Sequence, residues 1–330
     1  MKATHEPSSP AQWLLLVHQL PAKPAYLRVK VWRRLQALGA VTVKNSVYVL
    51  PAGERAQEDF EWMLKQVVGD GGEGMICEAR LVDGLSDQEV RALFNKAREA
   101  DYDAIASSAR ELREILTADM NAAARAGANA RLAKLKVEAT RVSGIDFFGA
   151  NGRETVDGLI GGLAAQLRED EPMDTGQDKT PERGGTDALK GRVWVTRQGL
   201  YVDRIASAWL IRRFIDPQAQ FKFVPAKGYV PRPDELRFDM FEAEFTHEGD
   251  RCTFEVLLAR IGSTDPALTA IAEIVHDIDL KDGKFGRDET SGISRLIDGI
   301  SVLTKDDAER LERGVTVLDD LYASFRRKRR

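Results

Sequence analysis

Apolar positions along the chain switch between two periods, and the switches outline its elements. Trp13 to His18 is a short apolar run. From Ala25 to Leu38 the apolar residues Leu27, Val31, Leu35 and Leu38 follow helical spacing, which Gly39 ends. The β-branched runs Ala40 to Val43 and Ser46 to Leu50 flank Lys44-Asn45, the pattern of a hairpin. Glu54 to Val67 then reads as a helix and Met75 to Val82 as a strand, with Cys77 taken as a small buried hydrophobe. The order β-α-β-β-α-β predicts a ferredoxin-like N-terminal domain over 11–85.

Helical spacing dominates beyond Asp83. Ser86-Asp87-Gln88-Glu89 has the form of a capping box ahead of a long helical or helix-turn-helix stretch, followed by the alanine-rich segment Ala118 to Ala139 and an amphipathic run from Thr155 to Leu167. These form a helical region over 86–167. Residues 168–190 have no aromatic or β-branched aliphatic side chain and are assigned as a linker. A mainly helical α+β domain over 191–330 follows. In it we expect a helix from Asp203, as N-cap, to Ile215, strands at Gln220 to Val224 and Met240 to Thr246, and helices at Thr253 to Arg260, Pro266 to Asp277, Thr290 to Leu303 and Lys305 to Phe325. The fold class is therefore α+β throughout.

Composition narrows the setting. The 330 residues have no apolar run of the ~18 residues that a membrane span needs, and MKATHEPSSP breaks any signal-peptide core with charge and proline. Only two cysteines fit a reducing, cytoplasmic location without a disulfide framework. No glycine-rich phosphate loop or dinucleotide fingerprint is present, so no cofactor is expected.

The net charge of -4 hides a local reversal. Pro7 to Gly53 contains no Asp or Glu, whereas Lys23, Arg28, Lys30, Arg33, Arg34 and Lys44 are all cationic. With Leu27, Val31 and Leu35 facing inward, Arg28, Lys30, Arg33 and Arg34 fall mostly on the open side of the first helix, with Lys44 at the nearby hairpin. Such a stripe is the electrostatic footprint of a DNA-binding surface. The tail FRRKRR is a second basic cluster.

The segment WVTRQGLYVDRIASAWLIRRFIDP concentrates Arg197, Arg204, Arg212 and Arg213 around a strand, a turn and a helix start. Guanidinium groups match the oxygens of a tetrahedral anion, and a helix start adds free N–H groups. Arg197 and Arg204 with His247 are the leading oxyanion ligands, and Arg212 is a weaker one. His247, Cys252, Glu255, His276 and Asp277 are also ligand-type residues, but their spacing matches no closed zinc pattern; they leave open a metal- or thiol-dependent redox enzyme. His5 and His18 lie elsewhere in the chain.

VTRQGLYVDRIASAWLIRRFIDP, FTHEGDRCTFE and IVHDIDLKDGKF together resemble the C-terminal domain of ChrB-type chromate resistance proteins, and WLLLVHQLPAKPAYLRVKVWRRLQALGAVTVKNSVYVLP resembles their N-terminal domain. KNSVYVLP is also similar to the ferredoxin-like domain of PaaX-type repressors, which carry a winged helix ahead of it; only about twelve residues stand there in this chain. The resemblance implies a cytoplasmic regulator of a chromate resistance operon that binds promoter DNA and senses chromate, or a sulfate-like oxyanion, in its C-terminal domain; we expect a homodimer, and a regulator more than an enzyme. An adaptor that uses its ferredoxin-like domain only to dimerise is a further alternative.

Overall fold

The computed structural model describes residues 12–24, 26–116, 120–169, 189–225, 228–304 and 306–327. His5, most of the assigned linker (170–188) and the end of the FRRKRR tail (328–330) lie outside the described residues. The described residues form two compact units, one within 1–101 and 140–151, the other within 102–139 and 152–330.

The first unit contains β1 (Trp13–Gln19), α1 (Tyr26–Ala37), β2 (Val41–Lys44), β3 (Val47–Pro51), α2 (Glu54–Gly69) and β4 (Glu73–Ala79). The strand order is β2-β3-β1-β4 with every neighbour antiparallel, the arrangement a ferredoxin-like β-α-β-β-α-β chain requires. Leu27, Val31 and Leu35 are the buried residues of α1, as their spacing indicates. Val31 and Leu35 join Leu14, Leu16, Val49, Phe60 and Met63 in one core. At one end of the sheet Trp13 stacks on Phe94, and Phe147 and Phe148 close around that ring. Cys77 is only half-buried, contrary to its sequence reading, because β4 is an edge strand paired with β1 alone.

The capping box forms. Ser86 N–H donates to Glu89 Oε2 at 2.8 Å while Glu89 N–H donates back to Ser86 Oγ at 3.3 Å. It starts one unbroken helix, α3 (Asp87–Glu114), which is followed by α4 (Ala122–Gly144) and α5 (Arg153–Glu169).

The second unit holds β5 (Val193–Arg197), α6 (Val202–Leu210) with a π-helical turn at Ile211–Ile215, β6 (Gln220–Val224) and β7 (Glu235–Arg237). The three strands are parallel in the order β6-β5-β7. Parallel neighbours need a crossover, which α6 and its π turn supply between β5 and β6. The strand expected at Met240 to Thr246 does not form. The chain reverses there through Asp239 (φ 45°) and Glu242 (φ 55°), and only Phe238 and Phe245 bridge. Left-handed backbone at two non-glycine residues ends extended pairing; β7 lies just before it.

Four helices complete the unit: α7 (Thr253–Arg260), α8 (Pro266–Asp279), α9 (Thr290–Leu303) and α10 (Asp307–Arg326). Asp265 caps α8 by accepting from Ala267 N–H at 2.9 Å, with Pro266 at the first helical position, where its missing N–H costs nothing. No described helix is long and apolar enough to cross a membrane.

Buried Gly314 lets α10 lie directly on α6. A Cβ there would stand 2.4 Å from Ile205 Cγ2, and Ile205 is fully buried. Gly314→Ala is expected to destabilise the protein by about 1–3 kcal/mol through overpacking, read as a lower midpoint in thermal or urea unfolding.

Candidate functional site

All nine residues of α6 are buried, including Asp203, Arg204 and Ser207. A helix enclosed on every face can carry such residues only if each finds a partner inside the protein. Asp203, 1% exposed, is not the cap of its own helix; Tyr201 occupies that position. Its carboxylate instead accepts from Thr253 N–H and Phe254 N–H, both at 2.8 Å, and so caps α7 from fifty residues away in sequence. The first N–H groups of α7 have no intrahelical acceptor, which is why a buried carboxylate is stable there.

Arg197 ends β5 and Arg204 lies in the first turn of α6, so both stand at the carboxyl edge of the parallel sheet, where open α/β sheets place ligands. Both are 3% exposed. Arg197 Nη2 pairs with Glu154 of α5 at 2.7 Å. Arg204 Nε pairs with Asp239 Oδ2 at 3.1 Å while Nη1 donates to the Gly199 carbonyl at 2.7 Å. His247, in the loop after β7, directs Nε2 at three carboxylates: Asp203 Oδ2 at 3.3 Å, Asp239 Oδ1 at 3.4 Å and Asp279 Oδ2 at 3.3 Å. Gly158 makes room for this ring, because a Cβ there would come within 2.8 Å of His247 Cβ. The three leading candidates from the sequence thus meet in one buried site, together with Glu154, Asp203, Asp239 and Asp279.

Two guanidinium groups and one imidazole face four carboxylates, so the site is acid-rich. Burial alone would lower the His247 pKa, but Asp203, Asp239 and Asp279 outweigh it and hold the ring well above its ordinary value. Burial, with Asp203 and Asp239 close by, raises the Asp279 carboxyl to about 8 against the pull of His247. Burial followed by Asp203, Glu255 and Asp279 pushes the Cys252 thiol well up. A fully buried thiol kept protonated is a poor nucleophile and a poor reductant, which counts against a thiol-dependent enzyme.

The remaining candidates lie apart. Arg212, in the π turn, pairs with Glu312 of α10 at 2.7 Å and covers the Phe221 ring. Arg213 pairs with Asp319 of α10. Cys252 is the N-cap of α7. His276 and Asp277 fall in a second cluster with Asp282, in which His276 Nδ1 meets Glu255 at 2.7 Å, Nε2 faces Asp282 at 3.3 Å, and Asp277 accepts from Phe285 and Gly286 N–H. Those bonds tie α8 to α7 on one side and to the loop that follows α8 on the other. In the first cluster Asp203, His247 and Asp279 each offer one ligand atom, all within 4.8 Å of one another.

A cavity of about 390 Å³ reaches this site between α5 and the loop after β7. Its lining includes His247 and the acids Glu154, Asp157, Glu242 and Glu248. On the first unit, Arg28, Arg33 and Lys44 are exposed, whereas Lys30 is half-exposed and pairs with Asp70 at 2.7 Å, and Arg34 is half-buried over the Trp62 ring. Arg28 and Trp32 of α1 line a groove of about 660 Å³ with Asn45 and Ser46 of the hairpin. His18 lies 8% exposed in its wall, and neither of its ring nitrogens has a hydrogen-bond partner.

Comparison with known proteins adds identity to this geometry. The family described as "ChrB, C-terminal domain" matches residues 194–325, and that described as "Protein ChrB, N-terminal" matches residues 28–155. The curated Protein ChrB of Cupriavidus metallidurans is 34% identical over 327 residues, covering 97% of each chain. No solved structure matches.

Two consequences can be measured. Asp203→Ala removes the cap of α7 and a partner of His247, and is expected to cost about 3 kcal/mol or more in urea unfolding. His276 has a pKa raised above 6.5 because Glu255 and Asp282 outweigh its burial. A raised pKa gives stability that is fully present below pH 6.5 and lost as pH rises through the folded value. His276→Gln should therefore destabilise the protein more at pH 6 than at pH 9.

Proposed function

The chain belongs to the ChrB family, and from that premise we propose that it is a chromate-responsive regulator of transcription, acting on the promoter of a chromate resistance operon. In this reading it is a cytoplasmic homodimer whose ferredoxin-like domain (11–85) holds DNA and whose C-terminal domain (191–330) senses the oxyanion. The observation that carries the reading is the state of the arginines: each is buried and already held by an internal carboxylate. An open receptor would present free guanidinium groups. A switch can instead hold them against carboxylates that a tetrahedral dianion replaces.

Glu154 is the exchangeable partner. It sits in the first turn of α5, just after residue 151, where the chain leaves the first unit, and it lines the cavity that reaches the site. Chromate, a tetrahedral dianion, can accept two parallel bonds from Arg197 in place of Glu154. That exchange frees the start of α5 and alters the segment that leads back to the DNA-binding unit. The acidic cavity lining opposes a dianion, so this site suits a threshold sensor and not a tight scavenger.

The DNA face is α1 with the hairpin tip. Arg28, Arg33 and Lys44 are exposed, so they are the cations able to reach phosphate, while Lys30 and Arg34 are engaged within the unit. Trp32 beside Arg28 adds an exposed aromatic to the same groove.

Two experiments test the reading. Arg28→Ala with Arg33→Ala should flatten the slope of log affinity against log salt on promoter duplex by up to about 2, whereas Lys30→Ala with Arg34→Ala should change it much less. If deletion of 326–330 abolishes binding and the α1 variants change nothing, DNA does not lie on this face. Glu154→Gln should shift promoter affinity without chromate towards the chromate-bound value, and Arg197→Lys should blunt the response at least tenfold. An unchanged chromate response in both variants removes the site.

A further inference from the structure

We propose that Asp203, His247 and Asp279 bind one divalent transition-metal ion, of the zinc or manganese(II) class. Three elements converge to present them: α6, the loop after β7, and the last residue of α8. Around His247 Nε2 the oxygens of Asp203 and Asp279 both lie at 3.3 Å and Asp239 Oδ1 at 3.4 Å. The edge of a tetrahedron is about 1.63 times its centre-to-corner distance, so bonds of about 2.0–2.1 Å put neighbouring ligand atoms roughly 3.3–3.4 Å apart. The imidazole nitrogen therefore stands at coordination spacing from each carboxylate, and the ligand atoms of Asp203, His247 and Asp279 all lie within 4.8 Å of one another.

Hydrogen bonding gives no equal account of this arrangement. A single N–H at Nε2 can satisfy one oxygen well, yet three carboxylates face it. Asp279 Oδ2 is buried with no hydrogen-bond partner, and so is Nδ1 of His247, a side chain 3% exposed whose other nitrogen is aimed into the space between the acids. An orphaned buried carboxylate oxygen calls for an explanation, and an ion is one.

Charge leads to the same place. Arg204 answers Asp239, and Arg197 answers Glu154. When the imidazole gives up its proton to bind a metal, Asp203 and Asp279 with the neutral ring form a set that one divalent cation balances. Asp203 is held in position by the Thr253 and Phe254 N–H groups, and Asp239 by the Thr253 hydroxyl at 3.1 Å, which supplies the outer support a metal site needs. Glu154, Asp157, Glu242 and Glu248 along the cavity draw cations towards His247. The second cluster lacks these features, because the donors of His276 and Asp277 are already in hydrogen bonds.

The ion goes beyond the oxyanion reading and does not need it, so its test uses metal alone. Full-length protein stripped with a chelator is titrated with Zn²⁺ or Mn²⁺ and followed by calorimetry and thermal unfolding. We expect one ion per chain and a rise in Tm on binding. His247→Gln and Asp279→Asn should each weaken binding at least tenfold. Asp279→Asn separates binding from folding: it keeps the shape of the side chain and relieves the crowding of three carboxylates on His247, so without metal it should unfold near the metal-free wild-type temperature, yet it should show no metal-induced rise. Asp282→Asn, in the second cluster, should bind as wild type. Absence of any metal-induced rise overturns the site, as does a full rise in Asp279→Asn or a loss confined to Asp282→Asn.

Discussion

A carboxylate removed from water must be given donors or a counter-charge, and the C-terminal unit is organised around four that need them. Asp203 receives two backbone N–H groups from α7, Asp239 receives Arg204, Glu154 receives Arg197, and Asp279 faces His247. Each partnership joins two elements distant in sequence: α6 to α7, the turn after β7 to α6, α5 to β5, and α8 to the loop that carries His247. Removing Arg197, Arg204 or Asp203 leaves its partner buried and uncompensated, at about 3–5 kcal/mol. The enclosure of α6, which exposes none of its nine residues, holds only while these partnerships do.

In the proposed switch, the same balance is what would let the site respond. Polar contacts in a packed interior have a few discrete arrangements and cannot adjust continuously. Exchanging one internal anion for an external one is such a rearrangement, and Glu154 is suited to it because its helix begins where the chain passes between units. A cation held by Asp203 and Asp279 would fix the acidic half of the cluster and leave Arg197 and Glu154 as its adjustable half. The two ideas address different residues of one cluster and can stand or fall separately.

Much of the fold was legible in the chain because local rules decide it. The i, i+4, i+8 spacing of Leu27, Val31 and Leu35, the Ser86-Glu89 box and the helix start at Pro266 all formed as their residue types require. The strand expected at Met240 to Thr246 did not, because the backbone turns left-handed at Asp239 and Glu242, which β propensity does not reveal. Sequence brought Arg197, Arg204 and His247 to notice as anion-matching side chains grouped with a helix start. It hid Glu154, Asp239 and Asp279, since acids are common here and nothing local marks the few that are buried. Asp203 was noticed for the wrong helix: a cap signal is local, and its acceptor role reaches across fifty residues.

Hydrogen exchange along α5, with and without chromate, tests the central claim most directly. If the dianion takes Arg197 from Glu154, amides in the first turns of Arg153–Glu169 should exchange faster when chromate is bound. Chromate binding that leaves α5 unchanged, or protects it further, would contradict the account.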